Sequence, residues 1–508
     1  MTESIKSIIT HLGNGGQIID VECHITKGLP TVNIIGYTSK AVNEAKDRVR
    51  AGFANSSIQL PKKHITVNLA PADIPKDSTS LDLAIAVSIL AAAGQINFEA
   101  ARQYIFLGEL GLDGQLKAVR GIIGRLMEAK KLGWRQFYLP QANLAQAKLV
   151  PGITLKPAGS LRDVYMDLSK VLSLKAVSTG PGHHQALRTD DQPVEIDMAE
   201  IVGQPVAKRA LEIAAAGHHN ILFYGPPGTG KTMLAKAMCG ILPSLEGEEV
   251  LEVTHLHSLG GGQTSQVTLS RPFRAPHHTA SSTAIIGGGS WPKPGEASLA
   301  HRGVLFLDEL PEFDRDCLEA LRQPLEDRLV TIARVKDSAT YPADFILVAT
   351  QNPCPCGYYG TDKTCNCSAA AIARYQHKVS GPILDRIDLH LPVSEVDHKN
   401  LLTERHSAET SVAARQRVAG AFERQKARFG TLRFNASMGN KEIRKLGQLS
   451  EVAKQLLDSA APKLGLSARA YVRSVKVART IAALAGSPTI EPVHISEALQ
   501  YRRLTPEF

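Results

Sequence analysis

The sequence predicts an α/β protein with a parallel-sheet domain at its centre, a mixed α/β domain before it and a helical domain after it. Its 508 residues suffice for two to four domains. From Glu195 onward apolar strands alternate with helical stretches, which is typical of βαβ units. From Lys399 the pattern becomes almost entirely helical. The predicted domains are residues 1–172, 195–398 and 399–508, with 173–194, which contains a Gly-Pro-Gly, as a linker.

The first domain combines short strands with two helical stretches. Helices are predicted at 81–93, which is apolar on every face, and at 121–132. An Asp-Gly turn separates two of the strands. The predicted strands are 17–21, 31–35, 64–69, 105–108, 114–119 and 136–139.

Composition excludes several classes of protein. Hydrophobic residues make up 43% and charged residues 21% of the chain, which is typical of globular proteins and argues against disorder. No apolar run reaches the roughly 18–20 residues that a membrane helix needs, and the first residues do not resemble a secretory signal. We therefore expect a cytoplasmic protein without a membrane partner.

A phosphate-binding loop follows the first strand of the central domain. The apolar strand 220–224 leads directly into GPPGTGKT, and a helical stretch comes next, which is the context that the G-x-x-x-x-G-K-[ST] motif requires. Backbone N–H groups of such a loop surround phosphates, Lys231 reaches the β- and γ-phosphates, and the Thr232 hydroxyl binds Mg²⁺. The predicted ATP-binding residues are Gly225, Pro226, Pro227, Gly228, Thr229, Gly230, Lys231 and Thr232.

Two later strands end in polar residues that complete this site. The apolar strand 303–307 ends in Asp308 and Glu309. In P-loop enzymes the first acid helps to hold Mg²⁺, and the second can act as the general base on the attacking water. The strand 345–350 leads to Asn352, which we expect to hydrogen-bond that water or the γ-phosphate.

The net charge of +9 is concentrated at one end of the chain. Residues 399–508 contain 19 Lys and Arg against 9 Asp and Glu. A localised basic surface favours a polyanionic partner such as nucleic acid. The alternative is a solvated helical face together with arginines that serve ATP chemistry.

Four of the seven cysteines fall within 14 residues. Cys354, Cys356, Cys365 and Cys367 form C-x-C-x8-C-x-C, and four thiolates on one loop suit tetrahedral Zn²⁺. Two alternatives remain open, free thiols and a redox disulfide. A site with four sulfur ligands has no open position, so a catalytic role is not expected.

Three stretches carry a family resemblance: RPFRAPHHTAS (271–281), PKPGEASLAHRGVLFLDEL (292–310) and ATQNPCPCG (349–357). They resemble the magnesium-chelatase-like AAA+ proteins, in particular the ComM/YifB group. The resemblance implies a P-loop ATPase core with a helical lid, assembled as a homohexameric ring with ATP between subunits. It also implies a DNA helicase that drives branch migration during natural transformation, with single-stranded and branched DNA as partners and recombination proteins as possible ones.

The resemblance also assigns roles to individual basic residues. The family's arginine finger corresponds to Arg386 in LDRID, and the sensor arginine of the lid helix corresponds to Arg469, with Arg473 as the alternative. A hairpin of strands 329–335 and 339–343 corresponds to one that related rings point into the pore. Arg334 and Lys336 would then contact the DNA backbone.

The N-terminal region resembles the Lon protease (S5-type) fold over roughly residues 1–170. Ser80 stands near the place of the Lon nucleophile, but Ile123 occupies the place of the lysine that should take its proton. We therefore predict a non-proteolytic scaffold or DNA-binding domain in which Ser80 acts as a helix N-cap-type residue. Lys62, Lys63 and Lys76 are weak candidates for DNA contacts, and His277, His278 and His301 are interpreted as structural.

These predictions combine into an ATP-driven hexameric DNA motor. Lys231, Thr232, Asp308, Glu309 and Asn352 would act from one subunit, and Arg386 with Arg469 from the next. The competing hypotheses are a chelatase-like remodelling chaperone that inserts metal into a tetrapyrrole, a Lon-like protease, and a DNA-binding ATPase without translocation.

Overall fold

The computed structural model separates into two compact units. Unit 1 comprises the described residues within 1–188, 246–269 and 333–340, and unit 2 comprises the remainder. The helical region predicted as a separate third domain therefore groups with the parallel sheet in unit 2. The described residues are 4–11, 15–36, 42, 44–72, 76, 79–180, 195–260, 266–289, 293–333, 338–396 and 409–502.

Unit 1 is built on an eight-stranded mixed sheet. Its strands are β1 (Ser4–His11), β2 (Gly15–Thr26), β3 (Thr31–Ile35), β4 (His64–Ala70), β5 (Ile105–Phe106), β8 (Gln136–Pro140), β9 (Thr154–Ala158) and β10 (Val177–Ser178), with β6 (Glu109–Leu110) and β7 (Leu116–Lys117) forming a separate hairpin. The spatial order is β10-β9-β8-β5-β1-β2-β4-β3. β1 pairs antiparallel with β2 and parallel with β5, so the N-terminal strand lies near the middle of the sheet.

The helices of unit 1 pack on this sheet around one apolar core. Asp82–Ala92 is its central helix, with every residue from Asp82 to Leu90 buried, which explains why its sequence is apolar apart from Asp82 and Ser88. Asp82 is neutralised by Arg48, whose Nε lies 2.7 Å from the carboxylate. Among the described residues, the helices of this unit are Ala45–Asn55, Asp82–Ala92, Phe98–Ala101, Ile122–Lys131, Leu144–Ala147, Leu161–Leu168 and Gly247–Leu259.

The last of these helices comes from the middle of the sequence. Gly247–Leu259 follows the P-loop helix in the chain, yet it packs on Ile122–Lys131 within unit 1. A Cβ added to Gly124 would lie 2.5 Å from the ring of His255, so the two helices approach closely. The chain thus leaves unit 2 after Leu245 and returns to it at Ser270.

Unit 2 contains a five-stranded sheet in which every pair is parallel. Its strands are β11 (Ile221–Tyr224), β12 (Phe273–Arg274), β15 (Val304–Leu307), β18 (Ile346–Gln351) and β19 (Leu389–Pro392), in the order β12-β15-β18-β11-β19. β13 (Gly287–Gly288) pairs with β14 (Lys293–Pro294), and β16 (Leu329–Ala333) with β17 (Ser338–Pro342). Parallel strands need long crossovers, and the helices that supply them cover the sheet.

Helices surround this sheet and form a helical region after it. Among the described residues, Pro205–Gly217 precedes the first strand, and the helices between the strands are Lys231–Ile241, Ser282–Ile286, Glu296–Leu299, Arg315–Ala320, Arg322–Asp327, Ala369–Gln376 and Gly381–Leu384. The helical region consists of Ser411–Phe429, Asn440–Leu446, Glu451–Lys463, Ala468–Leu484 and Pro492–Gln500. Sheet and helical region share one apolar core, in which Phe223 and Val348 join Val418, Val477 and Ile481.

Most strands and both main helices of the first domain appear where the sequence predicts them. The helix predicted at 81–93 spans Asp82–Ala92, and the one at 121–132 spans Ile122–Lys131. The strand at 17–21 is longer than predicted, because Gly15–Thr26 pairs along its length with β1 and β4. Within the part of the chain that the structure describes, no helix is long and apolar enough to cross a bilayer.

Candidate functional site

The phosphate-binding loop begins where β11 ends. β11 is flanked by β18 and β19 in the sheet, and the loop 225–230 connects it to the helix Lys231–Ile241. Gly228 and Gly230 adopt φ values of +82° and +83°, which glycine reaches at little cost. A Cβ on Gly225 would lie 2.2 Å from the Val393 carbonyl oxygen, so only glycine fits there. The loop glycines therefore fix a turn in front of a helix N-terminus, which attracts anions.

Lys231 is held at the centre of this loop by oxygen atoms. Its Nζ donates to the carbonyl oxygens of Gly225 and Pro226, each at 2.8 Å, and to Oδ1 of Asn352 at 3.2 Å. Burial lowers the pKa of Lys231, while the charges of Asp308 and Glu309 act in the opposite direction. The structure thus brings Lys231 and Asn352 together as one hydrogen-bonded pair at the tips of β11 and β18.

The two acidic residues stand at the tip of β15. Register in the parallel sheet places Leu307 opposite Ala349, so Asp308 comes next to Thr350. The Thr350 hydroxyl donates to Oδ1 of Asp308 at 2.5 Å, and Oδ2 of Asp308 accepts from the Thr232 hydroxyl at 3.4 Å. A hydroxyl and a carboxylate held together are ligands that Mg²⁺ accepts beside nucleotide phosphates.

Glu309 is oriented by an uncommon backbone conformation. Its φ is +53°, in the left-handed region that non-glycine residues visit rarely. Its backbone N–H donates to the Thr350 hydroxyl at 2.9 Å, which stabilises this turn. The Glu309 side chain is exposed beside Asp308, where a general base for an incoming water has to stand.

Thr350 was not singled out from the sequence. It contacts both acidic residues through one hydroxyl, as acceptor from Glu309 and donor to Asp308. A polar residue at the end of the otherwise apolar strand 345–350 was the available signal. Recognising it requires knowing that β15 and β18 are neighbours, which the sequence pattern does not give.

The candidate finger and sensor arginines line a separate cavity in unit 2. Its volume is about 720 Å³, and Arg386, Arg469 and Arg473 all line it. Six cations against two acids give it a strongly positive wall. The charged lining residues are Arg328, Arg386, Arg433, Arg469, Arg473 and Lys476, with Glu326 and Asp385.

Each of the three arginines has a different environment. Arg386 forms an ion pair with Glu326 and donates to the Pro382 carbonyl oxygen at 2.8 Å, while its Nε is buried without a hydrogen-bond partner. Arg469 is exposed near the start of the helix Ala468–Leu484. Arg473 donates to Asp388 at 3.1 Å. Arg469 is therefore the one of the two sensor candidates that points a side chain to solvent.

Asp388 connects the arginine motif with the lid helix. Its carboxylate accepts from Arg473 and from the backbone N–H of Asn220, and it lies 3.2 Å from Nδ1 of His219. Burial would raise the pKa of Asp388, but His219 and Arg473 outweigh it and hold the pKa well below its usual range. His219 also lies 2.8 Å from the Thr480 hydroxyl. This network was not predicted, because its members are far apart in the sequence.

The four cysteines form one compact cluster. Cys354 is buried and the other three are half-buried, and their sulfur atoms all lie within 4.8 Å of one another. The Sγ–Sγ distances are 3.4 Å from Cys354 to Cys356, 3.7 Å from Cys354 to Cys365, and 3.5 Å from Cys356 to Cys365. None of the four is joined to another in a disulfide, since that bond would need about 2.05 Å.

Several other predicted residues lie away from these sites or outside the description. Arg334 and Lys336 fall outside the described residues. Ser80 is buried in the turn Thr79–Leu81, and Leu81 is the residue that occupies the helix N-cap, so the N-cap prediction for Ser80 is wrong. His301 accepts the backbone N–H of Asp344 at 3.0 Å, which fits a structural role.

The remaining basic candidates in unit 1 differ in exposure. Lys62 and Lys63 are exposed, whereas Lys76 is fully buried and donates to the Pro71 carbonyl oxygen. Lys76 therefore does not offer a surface for a DNA contact, which corrects the expectation from sequence. Ile123, at the place of the missing lysine, is buried in the helix Ile122–Lys131.

Known families match most of the chain in three segments. Residues 197–401 match the family described as magnesium chelatase, subunit ChlI. Residues 21–143 match subunit ChlI of Mg-chelatase, and residues 408–502 match the C-terminal part of that subunit.

Two individual relatives are similar over nearly their full length, and a third over a shorter segment. The competence protein ComM of Haemophilus influenzae is 43% identical over 495 residues, covering 97% of this chain and 96% of its own. The uncharacterized protein YifB of Escherichia coli is 42% identical, covering 99% and 98%. A magnesium-chelatase 67 kDa subunit of Chlorobaculum parvum is 32% identical over 164 residues, which are 31% of this chain and 23% of that one. The chain therefore belongs to the ComM/YifB family of magnesium-chelatase-like AAA+ ATPases.

Proposed function

We propose that this protein is an ATP-driven DNA motor that works as a homohexameric ring and promotes branch migration of recombination intermediates during natural transformation. Membership of the AAA+ ATPases implies ATP and Mg²⁺ as cofactors. The observation that carries the proposal is the separation of the ATPase machinery into two groups of residues within one chain.

The first group can bind the nucleotide but has no arginine. Lys231 and the loop N–H groups suit the phosphates, Thr232 and Asp308 suit Mg²⁺, and Glu309 with Asn352 suits the attacking water. Mg²⁺ neutralises charge on the phosphates when it is bound. Hydrolysis in P-loop ATPases also uses a guanidinium that stabilises charge at the transition state.

The second group supplies that guanidinium from another place. Among the described residues that line the arginine cavity, none belongs to the phosphate-binding loop, to the Asp308–Glu309 pair or to Asn352. When the nucleotide-binding residues and the arginines lie apart in one chain, the arginines of one subunit can complete the nucleotide site of the next. Such head-to-tail association closes into a ring. Arg386 and Arg469 would then act on the ATP bound by the neighbouring subunit.

The helical region offers positive charge for DNA. Its exposed cations include several that form no ion pair with any described residue: Lys441, Arg444, Lys445, Lys454 and Lys463. Unpaired surface cations release counterions when they contact phosphates, which drives binding to nucleic acids. The excess charge of residues 399–508 therefore supports DNA as the polyanion.

One relative is named a competence protein, and this supports a role for this chain in natural transformation. The 67 kDa magnesium-chelatase subunit is similar over 31% of the chain, whereas ComM is similar over 97%, so the individual relatives give less support to metal insertion into a tetrapyrrole. Branched DNA and recombination proteins are the partners that this proposal implies.

The test measures ATPase rate and particle mass with no DNA, with single-stranded DNA and with a four-way junction. We expect DNA to stimulate hydrolysis and a hexamer to form. We also expect branch migration to separate the junction into two duplexes only when ATP is present. A tetrapyrrole that stimulates hydrolysis while no DNA does so would overturn the proposal in favour of a remodelling chaperone.

A matched pair of variants tests the DNA surface. Replacing Lys441, Arg444 and Lys445 by Ala should weaken DNA binding at least tenfold. The slope of the logarithm of the binding constant against the logarithm of salt concentration should also become shallower by about three, one for each lost phosphate contact. Replacing Lys27, Lys46 and Arg50 of unit 1 by Ala removes the same charge and should leave binding nearly unchanged. Equal losses from both triple variants would refute the assignment to the helical region.

A further inference from the structure

We propose that Cys354, Cys356, Cys365 and Cys367 bind one Zn²⁺, and that this metal holds a wall of the nucleotide pocket in place, so that zinc controls affinity for nucleotide. This inference rests on the nucleotide site of the proposed function. It does not depend on DNA as the substrate.

The sulfur positions fit a tetrahedral metal. Zinc–thiolate bonds of about 2.3 Å in a tetrahedron place neighbouring sulfurs about 3.8 Å apart. The sulfur pairs among Cys354, Cys356 and Cys365 measure 3.4, 3.5 and 3.7 Å, and Cys367 completes the group within 4.8 Å. The backbone N–H of Tyr359 donates to Sγ of Cys354 at 3.3 Å, the kind of hydrogen bond that supports a ligating thiolate.

The loop that carries the cysteines has no secondary structure and few buried side chains to stabilise it. Residues 352–368 contain no helix or strand, and Pro355, Tyr359, Asp362, Lys363 and Thr364 are exposed. A loop of this length without secondary structure is uncommon in a compact protein. Cys354 is its most deeply buried side chain. A bound metal would provide the cross-link that an apolar core does not.

This loop is packed against the phosphate-binding loop. Gly357 stands directly after Cys356, with φ of +85°, and a Cβ at this position would lie 2.7 Å from Cδ of Pro227. Pro227 is part of the phosphate-binding loop, so the cysteine turn rests on the pocket itself.

The first residue of the same loop is Asn352, which the nucleotide site uses to orient the attacking water. Asn352, which accepts from Lys231 at 3.2 Å, is two residues before Cys354. Gln376 donates to the Pro353 carbonyl oxygen at 3.1 Å, and Lys363 pairs with Glu395 at 2.9 Å. Cys354 and Cys356 thus lie between two contacts with the nucleotide pocket, at Asn352 and at Gly357. Losing the metal would release both.

The first experiment measures metal content and nucleotide affinity of the full chain without DNA. We expect about one zinc per chain in the purified protein, and with Co²⁺ in its place a thiolate-to-cobalt charge-transfer band. Cys365→Ser should lose zinc and bind a fluorescent ADP analogue about tenfold more weakly. Cys23→Ser, which changes a thiol of unit 1, should keep both properties.

A second variant separates the metal from its consequence. Gly357→Ala leaves all four ligands in place but forces a methyl group against Pro227, so it should keep zinc and still weaken nucleotide binding. Absence of bound zinc and of the cobalt band would refute the metal site. Unchanged nucleotide affinity in Cys365→Ser after loss of zinc would refute control by the metal, and unchanged affinity in Gly357→Ala would refute the contact with Pro227 as its route. Neither result depends on DNA stimulation, so failure of the DNA motor proposal would be seen separately.

Discussion

At the scale of single residues, the candidate site depends on polar atoms placed at the tips of adjacent parallel strands. Lys231, which follows β11, donates a hydrogen bond to Asn352, which follows β18. Thr350 of β18 in turn contacts Asp308 and Glu309, which follow β15. Each contact joins two strands, so the geometry depends on sheet order as much as on side-chain chemistry.

Glu309→Gln tests the general base. The substitution keeps size and polarity but removes the charge that accepts a proton. ATP hydrolysis should fall by at least about 100-fold while binding of the nucleotide is retained, because catalysis by a general base contributes roughly 10²–10⁴-fold. Steady-state ATPase assays and binding of a fluorescent ATP analogue measure the two quantities. Glu312→Gln, which removes a carboxylate paired with Lys378, is the matched control and should remain active. Near-normal turnover of Glu309→Gln would exclude Glu309 as the base.

Thr350→Val tests the residue that the sequence did not reveal. Valine matches threonine in shape but cannot donate to Asp308 or accept from Glu309. The apparent affinity for Mg²⁺ in the ATPase reaction should fall about tenfold, since outer partners of metal ligands typically contribute 10–100-fold. A magnesium titration at saturating ATP measures it. An unchanged magnesium dependence would show that this hydroxyl has no part in positioning Asp308.

At the scale of elements, apolar pattern and turn residues predict most of the strands and helices, whereas their pairing does not follow from the sequence. β11, β15 and β18 are predicted within a residue or two, because each is a short apolar run that ends in polar residues. The order β12-β15-β18-β11-β19 comes from packing. Pattern also gives no indication that Gly247–Leu259 leaves its neighbours in the chain and packs in unit 1, because that choice depends on close helix contacts such as Gly124 with His255.

Because His218, at the end of the helix Pro205–Gly217, is buried, we expect acid to lower the free energy of unfolding of unit 2. Its ring is buried and stacks on Phe434 at 4.6 Å between centroids. Burial lowers its pKa to about 3, although the charge of Asp344 opposes this. The unfolded chain binds a proton below about pH 6.5 that the folded chain refuses, so this contribution to stability is complete above pH 6.5 and is lost as pH falls toward 3.

The size of this effect can be measured by comparing variants. Between pH 7 and pH 5 the His218 contribution to the free energy of unfolding should fall by about 2 kcal/mol. In His218→Asn that loss should disappear, and asparagine tolerates the φ of +60° at this position. Urea unfolding at the two pH values measures it, with the exposed His377→Asn as control. An identical pH dependence in wild type and His218→Asn would contradict the assignment.

At the scale of the whole molecule, the separation of the two halves of the ATPase site predicts that activity belongs to the interface between subunits. Lys231→Ala damages the half that binds nucleotide, and Arg386→Ala damages the half that supplies the arginine. In a mixed ring, an Arg386→Ala subunit still offers an intact phosphate-binding loop, and a Lys231→Ala neighbour still offers Arg386. Head-to-tail order therefore makes about a quarter of the interfaces intact in an equal mixture. ATPase activity of the mixture should rise well above that of either inactive variant alone. Mixing Lys231→Ala with Glu309→Gln is the control, because both changes damage the same half and no interface is restored. If Arg386 acted on the ATP of its own chain, neither mixture would recover activity, and the ring with shared sites would have to be abandoned.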